Sequence, residues 1–300
     1  MRQQIIWTDL TLAEIATHLA ARGTAVSVTV VTQLLEQAGY VKRQAQKRQS
    51  TRQHPQRDQQ FRRLAELRRH YEQSGNPIVS MDTKKKELIG NFYRDGKLYT
   101  LKELRTLDHD FPSLAEGVII PHGLYDVQAN RGHINLGVSH DTSRFACDSL
   151  KHYWQTVGVK DYSGAESIFL MCDGGGSNAS NRYVFKAELQ RVVNDLGVEI
   201  RVGHYPPGCS KHNPIEHRLF PHVTRACQGV IFISVELVQQ LVRKTKTKTG
   251  LRVTVDILRG EYPTGEKAPS GFKEHMPLIF DEHLPTWNYR VLPQTRLQRR

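Results

Sequence analysis

Ile168-Phe169-Leu170-Met171-Cys172-Asp173-Gly174-Gly175-Gly176 is the stretch on which the fold turns. Its five apolar residues run uninterrupted, the pattern of a strand buried on both faces, and stop at a carboxylate. Downstream, Phe185, Leu189, Val192 and Leu196 recur at helical spacing and predict a helix over 181–196. Val198, Ile200 and Val202 then alternate as the next strand. Strand, helix, strand in that order is a parallel crossover, so the chain belongs to the α/β class.

Upstream, Ile78 to Asp82 reads as a strand and Leu88 to Tyr93 as a second, with Asp95-Gly96 as a tight turn into a third short strand near Leu98. Ile134, Leu136 and Val138 alternate as another strand, and a helix covers 143–156. Beyond the central crossover, a loop over 204–212 leads into a helix starting at Asn213. An apolar helix over 235–242 and a strand over 251–258 follow, with a basic cluster of Lys244, Lys246 and Lys248 between them.

The first forty residues differ in kind. Thr11 with Glu14 forms a capping box, and Leu12, Ile15, Ala16 and Leu19 predict a helix over 12–21 that stops near Gly23. A second helix is predicted over 27–38, with Val30, Val31, Leu34 and Leu35 as its apolar face and Gly39 as its stop. Two short helices joined by a glycine-containing turn suit a helix-turn-helix, although an ordinary helical hairpin has the same pattern. The sequel favours the DNA reader: Lys42, Arg43, Lys47, Arg48, Arg52, Arg57, Arg62, Arg63, Arg68 and Arg69 follow with few acids between them. Gln-rich sequence from Gln44 to Gln60 marks a boundary, and a helix over 58–73 ends at Ser74 to Pro77. The predicted organisation is a helix-turn-helix module at 1–43, a basic linker and helix at 44–75, and a catalytic domain with a C-terminal extension at 76–300.

Charge narrows the partner. Lys and Arg number 42 against 30 Asp and Glu, a net charge of +12 that points to a polyanion, with nucleic acid foremost. No apolar run approaches the length of a membrane span and no signal core opens the chain, so a cytosolic, nucleoid-associated protein without a membrane partner is expected. Cys147, Cys172, Cys209 and Cys227 are widely spaced without a C-x-x-C pair, which suggests neither a disulfide framework nor a zinc ribbon. Cys209 with His212 and His217 falls short of the four convergent ligands of a zinc site.

Three acids occupy places where a carboxylate is otherwise poorly explained. Asp82 closes one apolar strand and Asp173 closes the central one, and a charge at the end of a buried strand is costly unless paired or bound to metal. Adjacent strand ends in an open α/β sheet line one crevice, so the two can meet. In Asn213-Pro214-Ile215-Glu216, Asn is a favoured N-cap, Pro a favoured first helical residue, and Glu216 falls at N3, aimed back at the loop mouth; a cap serving stability alone reads the same way. Three hard oxygen donors suit Mg²⁺ or Mn²⁺ rather than zinc. Two such ions about 3.5–4 Å apart serve an in-line phosphoryl displacement without a covalent nucleophile. Gly174-Gly175-Gly176 permits close backbone approach, and without a following Lys-Ser/Thr it is not a phosphate loop. Lys84, Lys85, Lys211, His212 and Arg218, near the acids, and Lys42 and Arg43, after the second helix, are candidate DNA contacts.

Met81-Asp82-Thr83-Lys84-Lys85-Lys86-Glu87, Cys172-Asp173-Gly174-Gly175-Gly176-Ser177-Asn178 and Pro206-Pro207-Gly208-Cys209-Ser210-Lys211-His212-Asn213-Pro214-Ile215-Glu216 together resemble the Rhodopirellula-type DDE transposases, the ISAzo family of bacterial insertion sequences. The last segment is also similar to the Asn-Pro-x-Glu motif of mariner-like transposases. The resemblance runs from about Gln49 to Pro293. It implies an RNase H-like mixed sheet flanked by helices, preceded by the small all-α module. It also implies two divalent cations, Mg²⁺ or Mn²⁺, held by a triad of Asp82, Asp173 and Glu216, and DNA partners that are the terminal inverted repeats and a target. A homodimer on the DNA ends is expected by analogy. Because the chain begins almost at its first helix, the resemblance further implies an N-terminally truncated DNA-binding module. A non-enzymatic DNA-binding protein and an RNase H-like nuclease that hydrolyses without joining are the alternatives.

Overall fold

A computed structural model describes residues 8–43 and 54–294. The chain divides into two compact units, residues 1–50 and 51–300.

In the first unit, α1 (Leu12–Ala21) opens on the predicted capping box: Thr11 Oγ1 accepts the Glu14 N–H and Glu14 accepts the Thr11 N–H at 2.6 Å. Ser27 caps α2 (Val28–Gln37) by accepting from the Val30 N–H at 3.3 Å. The apolar face of α2 is narrower than its spacing suggests. Val31 is buried and Leu35 half-buried, whereas Val30 and Leu34 are exposed. Lys42 and Arg43 follow as exposed residues, while Lys47, Arg48, Arg52 and the rest of residues 44–53 lie outside the described residues.

The second unit begins with α3 (Arg57–Ser74), which sequence places at the end of a linker. In the fold it buries Gln60, Leu64, Leu67 and Tyr71 and contributes to the main apolar core. Three of its arginines are ion-paired within the chain: Arg57 with Asp58 and Arg68 with Glu72 on the helix surface, and Arg63 with Asp281. There follow β1 (Ile78–Thr83), β2 (Glu87–Ile89), β3 (Gly117–Asp126), β4 (Arg131–Gly137) and α4 (Ser143–Tyr153), the last continued through a π-helical stretch into α5 (Val159–Asp161). Next come β5 (Ser167–Cys172), α6 (Tyr183–Leu196), β6 (Glu199–His204), α7 (Pro214–Arg218), α8 (Phe220–Ala226) and α9 (Val235–Arg243). The described residues end with β7 (Arg252–Leu258), β8 (Leu278–Phe280) and β9 (Asn288–Val291).

The sheet runs β7-β4-β3-β1-β5-β6-β9-β8, with β2 paired to β3 outside this path. Its middle five strands have β3 antiparallel to both β1 and β4, and β5 parallel to both β1 and β6, which is the RNase H-like order. β7 extends one edge parallel to β4, and the β8–β9 hairpin extends the other. β5 alternates between two cores as its unbroken apolar run requires: Phe169 and Met171 face the side of α3, α7, α8 and α9, whereas Ile168, Leu170 and Cys172 face that of α4 and α6. No described helix is long and apolar enough to cross a membrane.

Two departures from the sequence reading lie upstream of β4. The ten-residue β3 sits at the centre of the sheet although Gly117, Pro121 and Gly123 interrupt its apolar pattern. Proline is tolerated because Pro121 falls where its partner strand changes: β1 pairing ends at Thr83↔His122 and β2 pairing begins at Glu87↔Ile119. The Pro121 carbonyl accepts the Lys84 N–H on that side, so the missing N–H faces the gap. The predicted hairpin into Leu98 does not form. β2 stops at Ile89, Leu98 and Tyr99 are exposed, and Asp95-Gly96 instead meets another loop, with the Asp95 carbonyl accepting the Gly229 N–H at 3.0 Å. A Cβ on Gly96, whose φ is 136°, would lie 2.6 Å from the Gly229 nitrogen, so glycine here serves a close backbone crossing rather than a strand turn.

Candidate active site

β1 and β5 are parallel neighbours in register, with Met81 opposite Cys172. The next residue on each is an aspartate, so Asp82, still within β1, and Asp173, just past the end of β5, stand side by side. Asp82 accepts the Thr83 N–H at 2.7 Å, and the Gly175 N–H beside Asp173 favours its charged form. Gly174 lies tight against the end of β6, where a Cβ would stand 3.1 Å from the Tyr205 carbonyl oxygen.

Glu216 is carried by α7, whose Ile215 packs into the core on the α3 side of the sheet. α7 is only five residues long, and its start is anchored to β1 rather than capped locally. Asn213 occupies the N-cap position, yet its side chain makes no cap hydrogen bond. It is fully buried, accepts from the Ser80 hydroxyl, and donates to the Met81 carbonyl at 3.2 Å. The Ser80 hydroxyl in turn accepts the Ile215 N–H at 3.1 Å. The predicted local cap is thus replaced by one supplied from β1, which brings Glu216 near enough for its charge to raise Asp82. Space for this approach comes from Gly123, the register partner of Asp82. A Cβ there would lie 2.6 Å from the Phe220 ring and 2.8 Å from Ile215.

Burial and neighbouring charges raise both aspartates. Asp82 is pushed up to about 8, first by burial and then by the charge of Asp173, with Glu216 adding to the rise and the Thr83 N–H opposing it. Asp173 is pushed up to about 6, again first by burial, then by Glu216 and Asp141 and against the Gly175 N–H. Asp141, which accepts from the Thr83 hydroxyl at 3.2 Å, is a fourth acid beside the site that sequence reading passed over. It follows Val138 in a loop, where no strand end or helix cap marks it.

His204 at the end of β6 supports the Asp173 turn. Its Nδ1 lies 3.0 Å from the Asp173 carbonyl, which can only accept, so that nitrogen carries the proton and Nε2 accepts from the Tyr289 hydroxyl at 3.1 Å. Burial holds its pKa down to about 4. Gln60 of α3 donates to the His204 carbonyl at 2.9 Å and exchanges hydrogen bonds with Asn288, tying α3 to the same strand end. His204, Gln60 and Asn213 left no periodic or cap signal that sequence reading could assign to the site.

The predicted basic contacts separate into two groups. Lys84 is ion-paired to Glu87 at 2.6 Å and only 13% of its side chain is exposed, so it is not a free cation. His212 packs edge-on against the Phe61 ring at 5.1 Å, and burial followed by the charges of Lys211 and Arg57 holds its pKa down. Lys85, Lys211 and Arg218 are exposed around the acids. Lys42 and Arg43, also exposed, belong to the first unit.

The donors are oxygens only and their repulsion in the metal-free protein is relieved by positive charge, which fits hard divalent cations. The acids are not drawn so close that one ligand atom from each lies within 4.8 Å of the others; among the described residues that closeness occurs at His133, His152 and Asp256.

A family model described as the Rhodopirellula transposase DDE domain matches residues 1–293, taking in the N-terminal module as well as the stretch that carries the three motifs. No curated protein matches the chain. Among solved structures, the chain is similar to the Mos1 transposase paired-end complex with left transposon end, at 14% identity and a TM-score of 0.45 over 80% of this chain and 72% of that one. It is similar also to the Mos1 strand transfer complex, at 14% identity and a TM-score of 0.46 over 80% and 71%. The mariner Mos1 paired-end complex with Mg shares 14% identity at a TM-score of 0.42 over 80% and 72%.

Proposed function

From the premise that the chain belongs to the Rhodopirellula transposase DDE-domain family, we propose that it cleaves and joins DNA with Asp82, Asp173 and Glu216 as its catalytic, metal-holding acids. The observation that carries this reading is the convergence of the three carboxylates from β1, the end of β5 and α7, with Asp82 and Asp173 both raised by burial and by neighbouring acids. Their chemistry suits two Mg²⁺ or Mn²⁺ ions. When bound, such a pair activates an attacking water or 3′-hydroxyl and offsets charge on the leaving oxygen.

The chain's own residues do the positioning. The Thr83 N–H holds one oxygen of Asp82 and the Gly175 N–H favours the charged form of Asp173, leaving the remaining oxygens for ligation. Asn213 and Ser80 fix the approach of Glu216, and His204 fixes the turn behind Asp173. In the proposed reaction an oxygen of water or of a 3′-hydroxyl bonds to phosphorus as the opposite P–O3′ bond breaks in line, so no side chain forms a covalent intermediate. Lys85, Lys211 and Arg218 serve as phosphate contacts near the acids, and Lys42 and Arg43 as contacts of the helix-turn-helix with the terminal repeats. The substrates are double-stranded element ends and target DNA, held by a homodimer.

Asp82→Asn, Asp173→Asn and Glu216→Gln test the assignment with cognate ends and Mg²⁺. Each is expected to abolish cleavage while DNA binding survives; normal cutting by all three variants overturns it. Joining of a pre-cleaved 3′-end to target DNA separates a transposase from a hydrolase, and binding without cleavage by the unaltered chain marks a DNA-binding protein only.

A further inference from the structure

A second convergence of metal-ligating side chains lies on the α4 face of the sheet and shares no residue with the acid site. His133 on β4, His152 on α4 and Asp256 on β7 each offer one ligand atom, all within 4.8 Å of one another. His152 Nε2 stands 3.0 Å and His133 Nε2 3.9 Å from the same Asp256 oxygen. Zinc with nitrogen and oxygen ligands at 2.0–2.1 Å has tetrahedral edges of about 3.3–3.4 Å, which the two observed separations bracket. We propose that His133, His152 and Asp256 bind a divalent transition metal, zinc foremost, with water in the fourth position.

The donor set selects the class of ion. Two imidazoles and one carboxylate suit zinc, whereas Mg²⁺ demands oxygen ligands in an octahedron. Exposure sets the geometry: the His133 side chain is 1% exposed and forms the floor, while His152 at 31% and Asp256 at 43% form a mouth open to water. The outer hydrogen bond that orients a metal-binding imidazole is also present, since His133 Nδ1 lies 2.7 Å from Thr254 Oγ1. With its proton on Nε2, His133 donates to Asn135 Oδ1 at 3.1 Å. With the proton moved to Nδ1, Thr254 Oγ1 accepts it and Nε2 is free to ligate.

A simple ion pair between His152 and Asp256 accounts for less. Such a half-exposed pair contributes little stability and does not explain why the His133 Nε2 also lies 3.9 Å from the same Asp256 oxygen. Polar capacity beside the cluster is also unfilled by protein groups. Asn135 donates to the Ser149 carbonyl and stands opposite His122 in register, and both ring nitrogens of His122 and the Ser149 hydroxyl are buried without a partner among the described residues. A bound ion would staple β7, the edge strand beyond the five-stranded core, to β4 and α4.

The test uses the untagged full chain carrying Asp82→Asn and Asp173→Asn, so that the acid site does not contribute. After equilibration with zinc and removal of excess by gel filtration, elemental analysis is expected to find about one zinc per chain, and Co²⁺ in its place to give visible d–d absorption of a four-coordinate site. His152→Ala and Asp256→Asn, each added to that background, should remove both signals and the rise in melting temperature on adding zinc. Both side chains are partly exposed, so the variants should fold, which far-UV circular dichroism checks. Absence of bound zinc in the acid-site variant, or unchanged stoichiometry after either substitution, overturns the proposal whatever the outcome for DNA cleavage.

Discussion

Ser80 on β1 caps the helix that carries Glu216: its hydroxyl accepts the Ile215 N–H at 3.1 Å while donating to Asn213 Oδ1. One buried serine thereby joins the strand that ends in Asp82 to the start of α7. Asn213→Ala leaves the Met81 carbonyl without its side-chain donor and frees α7, at a cost of about 1–3 kcal/mol. Urea denaturation should record that loss, and Mg²⁺-dependent cleavage should fall well beyond what residual folding explains. A variant that is destabilised yet cleaves at the full rate per folded molecule would remove Asn213 from the positioning of Glu216.

Gly123 provides the room into which α7 and α8 settle. Gly123→Ala places a methyl 2.6 Å from Phe220 and 2.8 Å from Ile215, an overpacking expected to cost about 1–3 kcal/mol. Gly164→Ala, with nothing within 4 Å of its added carbon, is the neutral control. Equal melting temperatures for the two variants would contradict the close approach.

Asp82 makes metal-free stability fall as pH rises from its ordinary value of 3.8 to about 8. Asp82 has a folded-state pKa of about 8 against an ordinary value of 3.8, so between these values the native state holds a proton that the unfolded chain lacks. Its contribution is present at low pH and is lost as pH rises through about 8. Asp82→Asn should therefore raise the melting temperature of metal-free protein at pH 8 more than at pH 6. Mg²⁺ should stabilise the unaltered chain more at the higher pH, and a pH-independent increment would argue against the repulsion.

Buried histidines act in the opposite sense. His122 is held down to about 3 and His204 to about 4 by burial, so the unfolded chain, titrating near 6.5, binds more protons below that value. Their stabilising contribution is complete above about 6.5 and is lost as pH falls toward 4. Urea midpoints measured from pH 7 to pH 4.5 should decline, and His122→Gln should flatten the decline. No change in slope would show that His122 titrates normally in the fold.

Salt dependence distinguishes the lysines. Lys85→Ala, Lys211→Ala and Arg218→Ala should each lower the slope of log affinity against log salt by about one unit if they touch phosphate. Lys84→Ala should leave that slope unchanged, because Lys84 already pairs with Glu87 at 2.6 Å. A reduced slope for Lys84→Ala would mean that the pair opens on DNA.

Local chemistry made much of the molecule legible in advance. The Thr11–Glu14 capping box, the β5 run ending at Asp173 and the spacing of α6 depend on residues a few positions apart, and each is found where its pattern places it. The three acids were legible for the same reason, as charges at strand ends and at a helix start.

Sequence by itself thus determined the net positive charge, the crossover around β5 and the places of Asp82, Asp173 and Glu216 along their strands and helix. Tertiary structure alone decided that the glycine- and proline-broken segment of β3 becomes a central strand, that Asn213 reaches across to β1, and that Lys84 is neutralised by Glu87. It also brought His133, His152 and Asp256 together from three elements. Periodicity and caps are properties of neighbouring residues, whereas pairing, burial and ligand convergence depend on which distant backbone fills the space opposite.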